Sequence, residues 1–210
     1  YIDTSLKNVF SAIFNKDLAS IKILVKYSLL VQVVIVLFIG DFIEWAAHVA
    51  LHRSKFLFRF HRVHHSIVEM DWIGSFRFHW FESFFYYTIK YIPLALLGAT
   101  PLVILINSVI TTTIGHLNHS NMKISWGPLR YLINSPRMHI WHHDKSKCGK
   151  TVVNYAVVFS LWDWIFKTAY MPKEALEPAE LGFRDQSNVY ESLHMRFFLP
   201  FLNKKSKDRN

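Results

Sequence analysis

Residues 84–115 read FFYYTIKYIPLALLGATPLVILINSVITTTIG, thirty-two residues in which Lys90 is the single charge. A membrane-crossing helix needs about 20 mostly apolar residues, so this stretch is too long for one helix and suits two short ones. Gly98-Ala99-Thr100-Pro101 interrupts it near its middle, because Gly and Pro punctuate helices. The pattern predicts helices over 81–97 and 102–117, forming a hairpin that enters and leaves a bilayer on one side. A buried hairpin in a soluble all-α protein carries the same pattern.

Outward from the hairpin, residues 29–40 (LLVQVVIVLFIG) start a second apolar run that continues to His48. It predicts a helix from about 29 to 52 with Asp41 and Glu44 near its end. Carboxylates at membrane depth are costly and take partners; Arg53, Arg59 and histidine N–H groups are the available ones. Residues 4–27 have the spacing of an amphipathic helix lying on a bilayer or on the bundle. Residues 55–66 and about 128–143 read as further helices, and Asn154–Phe166 as a Trp-rich interfacial helix. If His48 and His116 face the same metals, Lys7, Lys16, Lys22 and Lys26 begin on the far side of the membrane, against the positive-inside tendency. Either a span precedes Tyr1 or residues 29–47 insert only in part.

With 210 residues, one domain covering 1–210 is expected. The net charge of +9 gathers at 53–62, 123–150 and 196–209. No nucleic-acid-binding motif accompanies it, so we read a solvated cytoplasmic face that attracts anionic headgroups. Cys148, the one cysteine, excludes internal disulfides and zinc-ribbon spacing. No secretory signal pattern opens the chain. The tail after Pro172 is polar and carries no catalytic pattern.

Eleven of twelve histidines fall between residues 48 and 143. They occur as HVALH (48–52), HRVHH (61–65), His79, HLNH (116–119) and HIWHH (139–143). Spacings of i, i+3 and i+4 put each HxxHH triplet on one face of a helix. Burying so many unpartnered rings would cost on the order of 1–3 kcal/mol each, and metal coordination supplies partners. HVALH has Val49 where a zinc-protease helix has its Glu, and no cysteine set for an iron–sulfur cluster exists. The number of imidazoles suits two metals. Iron is the expected redox-active choice, although imidazole also suits zinc, copper and nickel.

These boxes resemble the fatty acid hydroxylase/sterol desaturase superfamily of membrane-bound di-iron oxygenases. Asp41 through Trp45 with His48 and His52 is similar to the family's first box, and FRFHRVHHS to its second. Residues 77–82, RFHWFE, resemble R-x-H-P-x-E, with Trp80 in place of Pro. HLNHSN (116–121) is like the third box. SPRMHIWHHD (135–144), Asn154-Tyr155 and Leu161-Trp162-Asp163 resemble the last box and what trails it, with Ala156 in place of the usual Gly. The resemblance covers about 41–171.

It implies an all-α integral membrane helical bundle with a cytosolic histidine-rich metal-binding cap. It implies two iron ions as cofactor, O2 as co-substrate, a membrane lipid as substrate, and cytochrome b5 or a ferredoxin as electron donor. By carry-over His48, His52, His61, His64, His65, His116, His119, His139, His142 and His143 are the metal ligands. His79 is a ligand or a hydrogen-bond partner. Asp41, Glu82, Asn118, Asp144, Asn154 and Asp163 are expected to fix imidazoles through the nitrogen that does not bind metal, or else to serve as caps and surface charges. The expected reaction is hydroxylation or desaturation of an unactivated C–H, at the cytoplasmic face of a bacterial inner membrane or of the endoplasmic reticulum. Phe76, Phe78, Phe81, Phe84, Phe85, Tyr86 and Tyr87 line the lipid channel or face the bilayer. The alternatives are a bis-histidine haem protein and a metal transporter or store.

Overall fold

The computed structural model of the chain describes residues 23–148, 151–183 and 186. Six α-helices lie among them: α1 (Leu29–Arg53), α2 (Lys55–His61), α3 (Trp80–Leu96), α4 (Pro101–Asn118), α5 (Pro136–His139) and α6 (Leu161–Ile165). Short 3-10 turns join them, and the described residues hold no strand beyond one isolated Asp144–Leu181 bridge. The expected amphipathic helix over 4–27 lies largely outside the described residues, as do His194 and the basic tail.

The hairpin forms where the sequence places it. Thr100 caps α4 through its hydroxyl, which accepts from the Val103 N–H, and Pro101 occupies the first turn, where its missing N–H costs nothing. Gly98 ends α3 at φ 91°, a left-handed conformation that glycine takes without strain. α1 and α4 are each long and apolar enough to cross a membrane. Leu30, Val34 and Phe38 on α1 and Leu102, Leu105 and Val109 on α4 point outward and are exposed. An apolar outer face of this kind is what a bilayer covers. The protein is an all-α membrane bundle with a histidine-rich cap.

α1, α3 and α4 meet on Val36, Leu94 and Val103. Gly40 lets α3 approach closely, since an added Cβ would stand 3.3 Å from both Leu94 Cδ1 and Lys90 Cε. The intramembrane carboxylates find partners that the sequence reading does not assign. Glu44 pairs with Lys90 at 2.5 Å. Asp41 accepts from the Val158 and Phe159 N–H groups and the Trp162 indole, each at 2.9 Å. Neither Arg53, Arg59 nor a histidine serves.

Three expected helices are shorter than their patterns. The run 55–66 breaks after His61, and His64–Ser66 continues as a 3-10 turn. The run 128–143 divides into Gly127–Tyr131, α5 and a 3-10 turn Ile140–His143. Ser135 starts α5 by accepting from the Met138 N–H, ahead of Pro136. Of 154–166 only α6 is helical. Asn154 adopts φ 56°, and Asp163 takes the N–H groups of Tyr155 at 3.0 Å and Ala156 at 2.9 Å. Asp41 takes those of Val158 and Phe159. With its N–H groups captured by carboxylates, the loop cannot close helical turns.

Candidate metal centre

Among the described residues, nine histidines converge in two groups. His48, His52, His61, His65 and His142 form the first; His64, His119, His139 and His143 form the second. Within each, the nearest ring nitrogens lie within 4.8 Å of one another. The two HxxHH triplets are divided reciprocally. From the first triplet, His61 and His65 join the first group and His64 the second. From the other, His139 and His143 join the second group and His142 the first. This division follows from the broken helices. Each triplet straddles the change from an α-turn to a 3-10 turn, and its middle member, His64 or His142, joins the other group.

The contacts between rings show what the groups could hold. Nε2 of His61 stands 3.1 Å from that of His48, 2.9 Å from that of His52 and 3.1 Å from that of His65. His52 Nε2 also lies 3.1 Å from that of His65 and 3.2 Å from that of His142. In the second group His119 Nε2 lies 3.2 Å from those of His64 and His139. An imidazole nitrogen offers one lone pair or one hydrogen, so one atom cannot hydrogen-bond three neighbours. With metal–nitrogen bonds of about 2.1 Å, ligands at right angles stand about 3.0 Å apart and tetrahedral ligands about 3.4 Å. The observed edges of 2.9–3.2 Å fall in the range that nitrogens sharing one cation would span.

The outer nitrogens support that reading. His48 Nδ1 faces the Tyr155 carbonyl at 2.7 Å, His142 Nδ1 that of Val153 at 2.8 Å, and His119 Nδ1 that of Gly115 at 2.8 Å. Each carbonyl holds the hydrogen on Nδ1 and leaves the Nε2 lone pair for a metal. His61 Nδ1 meets Glu82 Oε1 at 2.5 Å. His143 is fully buried with no partner for either nitrogen among the described residues, an expensive state unless a cation takes one. Burial first, and then neighbouring imidazoles, hold His64, His65, His139 and His143 well below the usual imidazole range. Burial brings His119 down to about 4. The rings are therefore neutral at neutral pH, the form that ligates. The donor set fits two metal ions.

The remaining expected residues fall elsewhere. His116 belongs to neither group: its Nδ1 bonds Ser75 Oγ, and its ring packs on Phe76 with centroids 4.5 Å apart. His79 Nδ1 accepts from the Phe81 N–H at 3.1 Å and starts α3. Among the six expected supporting residues only Glu82 touches a grouped histidine. Asp41 and Asp163 act on the 153–163 loop. Asn154 ties Met138 to Tyr170, Asn118 donates to the Val157 carbonyl at 2.7 Å, and Asp144 accepts from Ser146. The carbonyls of Val153, Tyr155 and Gly115 carry no side-chain signature, and only the Asn154-Tyr155 and Asp163 positions hinted at them.

Two consequences are testable. Glu82→Gln is expected to weaken metal binding by about 10–100-fold, as loss of a ligand's outer partner does, measured by competition with a chelator. His116→Ala is expected to keep the full metal content by elemental analysis.

Both groups open on one cavity of about 600 Å³. His48 and His61 border it from the first group, and His64, His119 and His139 from the second. It continues between α3 and α4 past Tyr86, Tyr87, Ser108 and Thr112. Phe76 and Phe78 line it, the first of the two readings left open for them. Phe81 instead packs on Phe60 at 4.3 Å, and Phe84 is exposed on the outer face.

A family model described as fatty acid hydroxylase matches residues 33–168. The ornithine lipid hydroxylase of Rhizobium tropici is 34% identical over 178 residues, 84% of this chain and 52% of that protein. The alkylglycerol monooxygenase of Caenorhabditis elegans is 24% identical over 173 residues, 77% of this chain and 31% of that protein. A very-long-chain aldehyde decarbonylase of Oryza sativa subsp. indica is 26% identical over 158 residues, 70% of this chain and 24% of that protein. The chain thus spans about half the length of the first of these relatives and less of the others. No solved structure matches it.

Proposed function

The chain belongs to the fatty acid hydroxylase family, and from that premise we propose that it is a membrane-bound, O2-dependent lipid hydroxylase with two iron ions. The observation that carries this reading is the pair of converging imidazole groups at one end of a mostly apolar cavity. We assign His48, His52, His61, His65 and His142 to one ion and His64, His119, His139 and His143 to the other. Residues 1–210 are read as one domain.

Iron bound there supplies dioxygen activation; the overall reaction is C–H + O2 + 2 e⁻ + 2 H⁺ → C–OH + H2O. The chain's own groups do the rest. The Tyr155, Val153 and Gly115 carbonyls and Glu82 keep four Nε2 lone pairs aimed inward. Such prior alignment removes reorganisation from the reaction. The cavity between α3 and α4 holds a lipid and keeps water from its reacting carbon. Arg53, Lys55, Arg59, Arg62, Arg137 and Lys145 neighbour the histidine boxes in sequence, which supports reading that end as cytoplasmic by the positive-inside tendency. A carrier such as cytochrome b5 or a ferredoxin supplies the electrons there. Hydroxylation is preferred over desaturation because the relatives include an ornithine lipid hydroxylase and an alkylglycerol monooxygenase.

The test is elemental analysis of the purified chain together with turnover of membrane lipids under ¹⁸O2 and a reductant. About two iron ions per chain and one labelled oxygen per product are expected. An alkene product would assign desaturation. An intense Soret band, or metal binding with no O2 consumed on any lipid, would overturn the reading.

A further inference from the structure

One charged pair in the cavity has no role in holding metal. Glu44 on α1 and Lys90 on α3 meet at 2.5 Å, with side chains 20% and 6% exposed, and both line the cavity. Glu44 stands four residues before His48, about 6 Å along the axis. Lys90 stands one turn beyond Tyr86, whose ring meets His48 edge-on at 6.3 Å. The pair therefore lies close to the histidine end of the cavity, between α1 and α3.

Ionisable groups at such depth are costly, and apolar residues tie helices together as well or better. Some of the neighbouring hydroxyls are already occupied, while those of Ser83, Tyr86, Tyr87 and Thr112 also border the cavity. Tyr91 Oη and Ser108 Oγ bond each other at 2.6 Å, and Thr111 Oγ1 donates to the Ser108 carbonyl at 3.3 Å. Lys90 Nζ carries three hydrogens, of which Glu44 takes one among the described residues. Glu44 keeps a second oxygen. A donor and an acceptor thus remain side by side in an otherwise largely apolar cavity.

We propose that Glu44 and Lys90 are the specificity-determining pair of this cavity, selecting lipids in which a group that both donates and accepts hydrogen bonds lies a few bonds from the oxidised carbon. This deepens the hydroxylase reading and rests on it for the reaction, though not for binding. A bare acyl chain beside the pair would desolvate both charges and return no hydrogen bond. Sites built to bond a polar group reject analogues lacking it far more strongly than apolar pockets reject a missing methylene.

The test uses the full-length, metal-loaded chain in phospholipid nanodiscs. Its probes are an N-acyl amino acid lipid, which donates and accepts, and the methyl ester of the same acyl chain, which only accepts. Equilibrium binding and turnover are both measured, and products are mapped by mass spectrometry. The native chain is expected to bind the amino acid lipid at least about 10-fold more tightly and to place the hydroxyl near its polar group. The double variant E44L/K90M is expected to lose this preference through KM while keeping its metal. The swapped pair E44K/K90E retains the helix tie but reverses the donor and acceptor, and should not restore the preference.

Equal binding of both probes by the native chain would overturn the proposal. So would oxidation in mid-chain, a preference that survives E44L/K90M, or full recovery by the swapped pair. Preferential binding without oxidation of either probe would leave this pair in place and overturn the hydroxylase reading instead.

Discussion

Replacing His142 by alanine is expected to leave the chain with about one metal ion instead of two and with turnover reduced by more than about 100-fold. Loss of an outer hydrogen-bond partner alone costs about 10–100-fold in affinity, and His142 Nε2 itself stands in the first group, 3.2 Å from that of His52. His64→Ala is expected to produce the same deficit in the other group, where His64 faces His119 at 3.2 Å. The pairing of effects is the discriminating result. By the reciprocal division, His142→Ala should resemble His52→Ala, although His139 and His143 are its neighbours in sequence. His64→Ala should resemble His119→Ala rather than His61→Ala. Metal counts on the single variants and on the pair His64→Ala/His119→Ala check this, since both changes of that pair strike one site and should leave one ion. If the triplets acted as contiguous units, His61→Ala and His64→Ala would instead deplete the same site. Membrane insertion should be unchanged in each case, because the hairpin lies outside the substituted positions.

Asp163→Ala is expected to be the most damaging change among residues that touch no metal-facing nitrogen. Its carboxylate accepts from the Trp45 indole at 3.0 Å, the Tyr155 N–H at 3.0 Å, the Ala156 N–H at 2.9 Å and the Thr168 hydroxyl at 2.6 Å. Leaving even two of these donors buried and unpaired, at about 1–3 kcal/mol each, puts the loss of stability on the order of 4 kcal/mol. The damage should also reach the first histidine group, because the Tyr155 carbonyl orients His48. A lowered unfolding midpoint in detergent together with faster metal release to a chelator is the expected pair of readouts. Asp163→Asn keeps one acceptor oxygen and should fall between. An unchanged midpoint in Asp163→Ala would mean that the Asn154 and Asp41 contacts hold the loop by themselves.

The helical hairpin was legible because its information is local. A mostly apolar run of thirty-two residues, broken by Gly98 and Pro101, defines two helices whatever surrounds them, and observed bounds of Trp80–Leu96 and Pro101–Asn118 fall within one residue of expectation. The helices read over 55–66, 128–143 and 154–166 are shorter because contacts distant in sequence end them. Asp41 captures N–H groups 117 and 118 residues away, a pull that no window of periodicity contains. His116 shows the same limit. It has the residue type and spacing of a ligand, yet its turn of α4 faces Ser75 and the cavity.

By itself the sequence determined that the chain is helical, that two of its helices suit a bilayer, that its imidazoles suit metal, and that its boxes resemble one family. Those follow from hydrophobic period, capping residues and side-chain chemistry, which act over a few residues. Only the tertiary structure decided how nine histidines divide between two groups, which carbonyls orient them, and that Glu44 meets Lys90 inside the cavity. Metal coordination needs nitrogens placed to a few tenths of an ångström. That precision comes from where each helix stops and from backbone carbonyls that every residue possesses, so side-chain pattern carries no record of it.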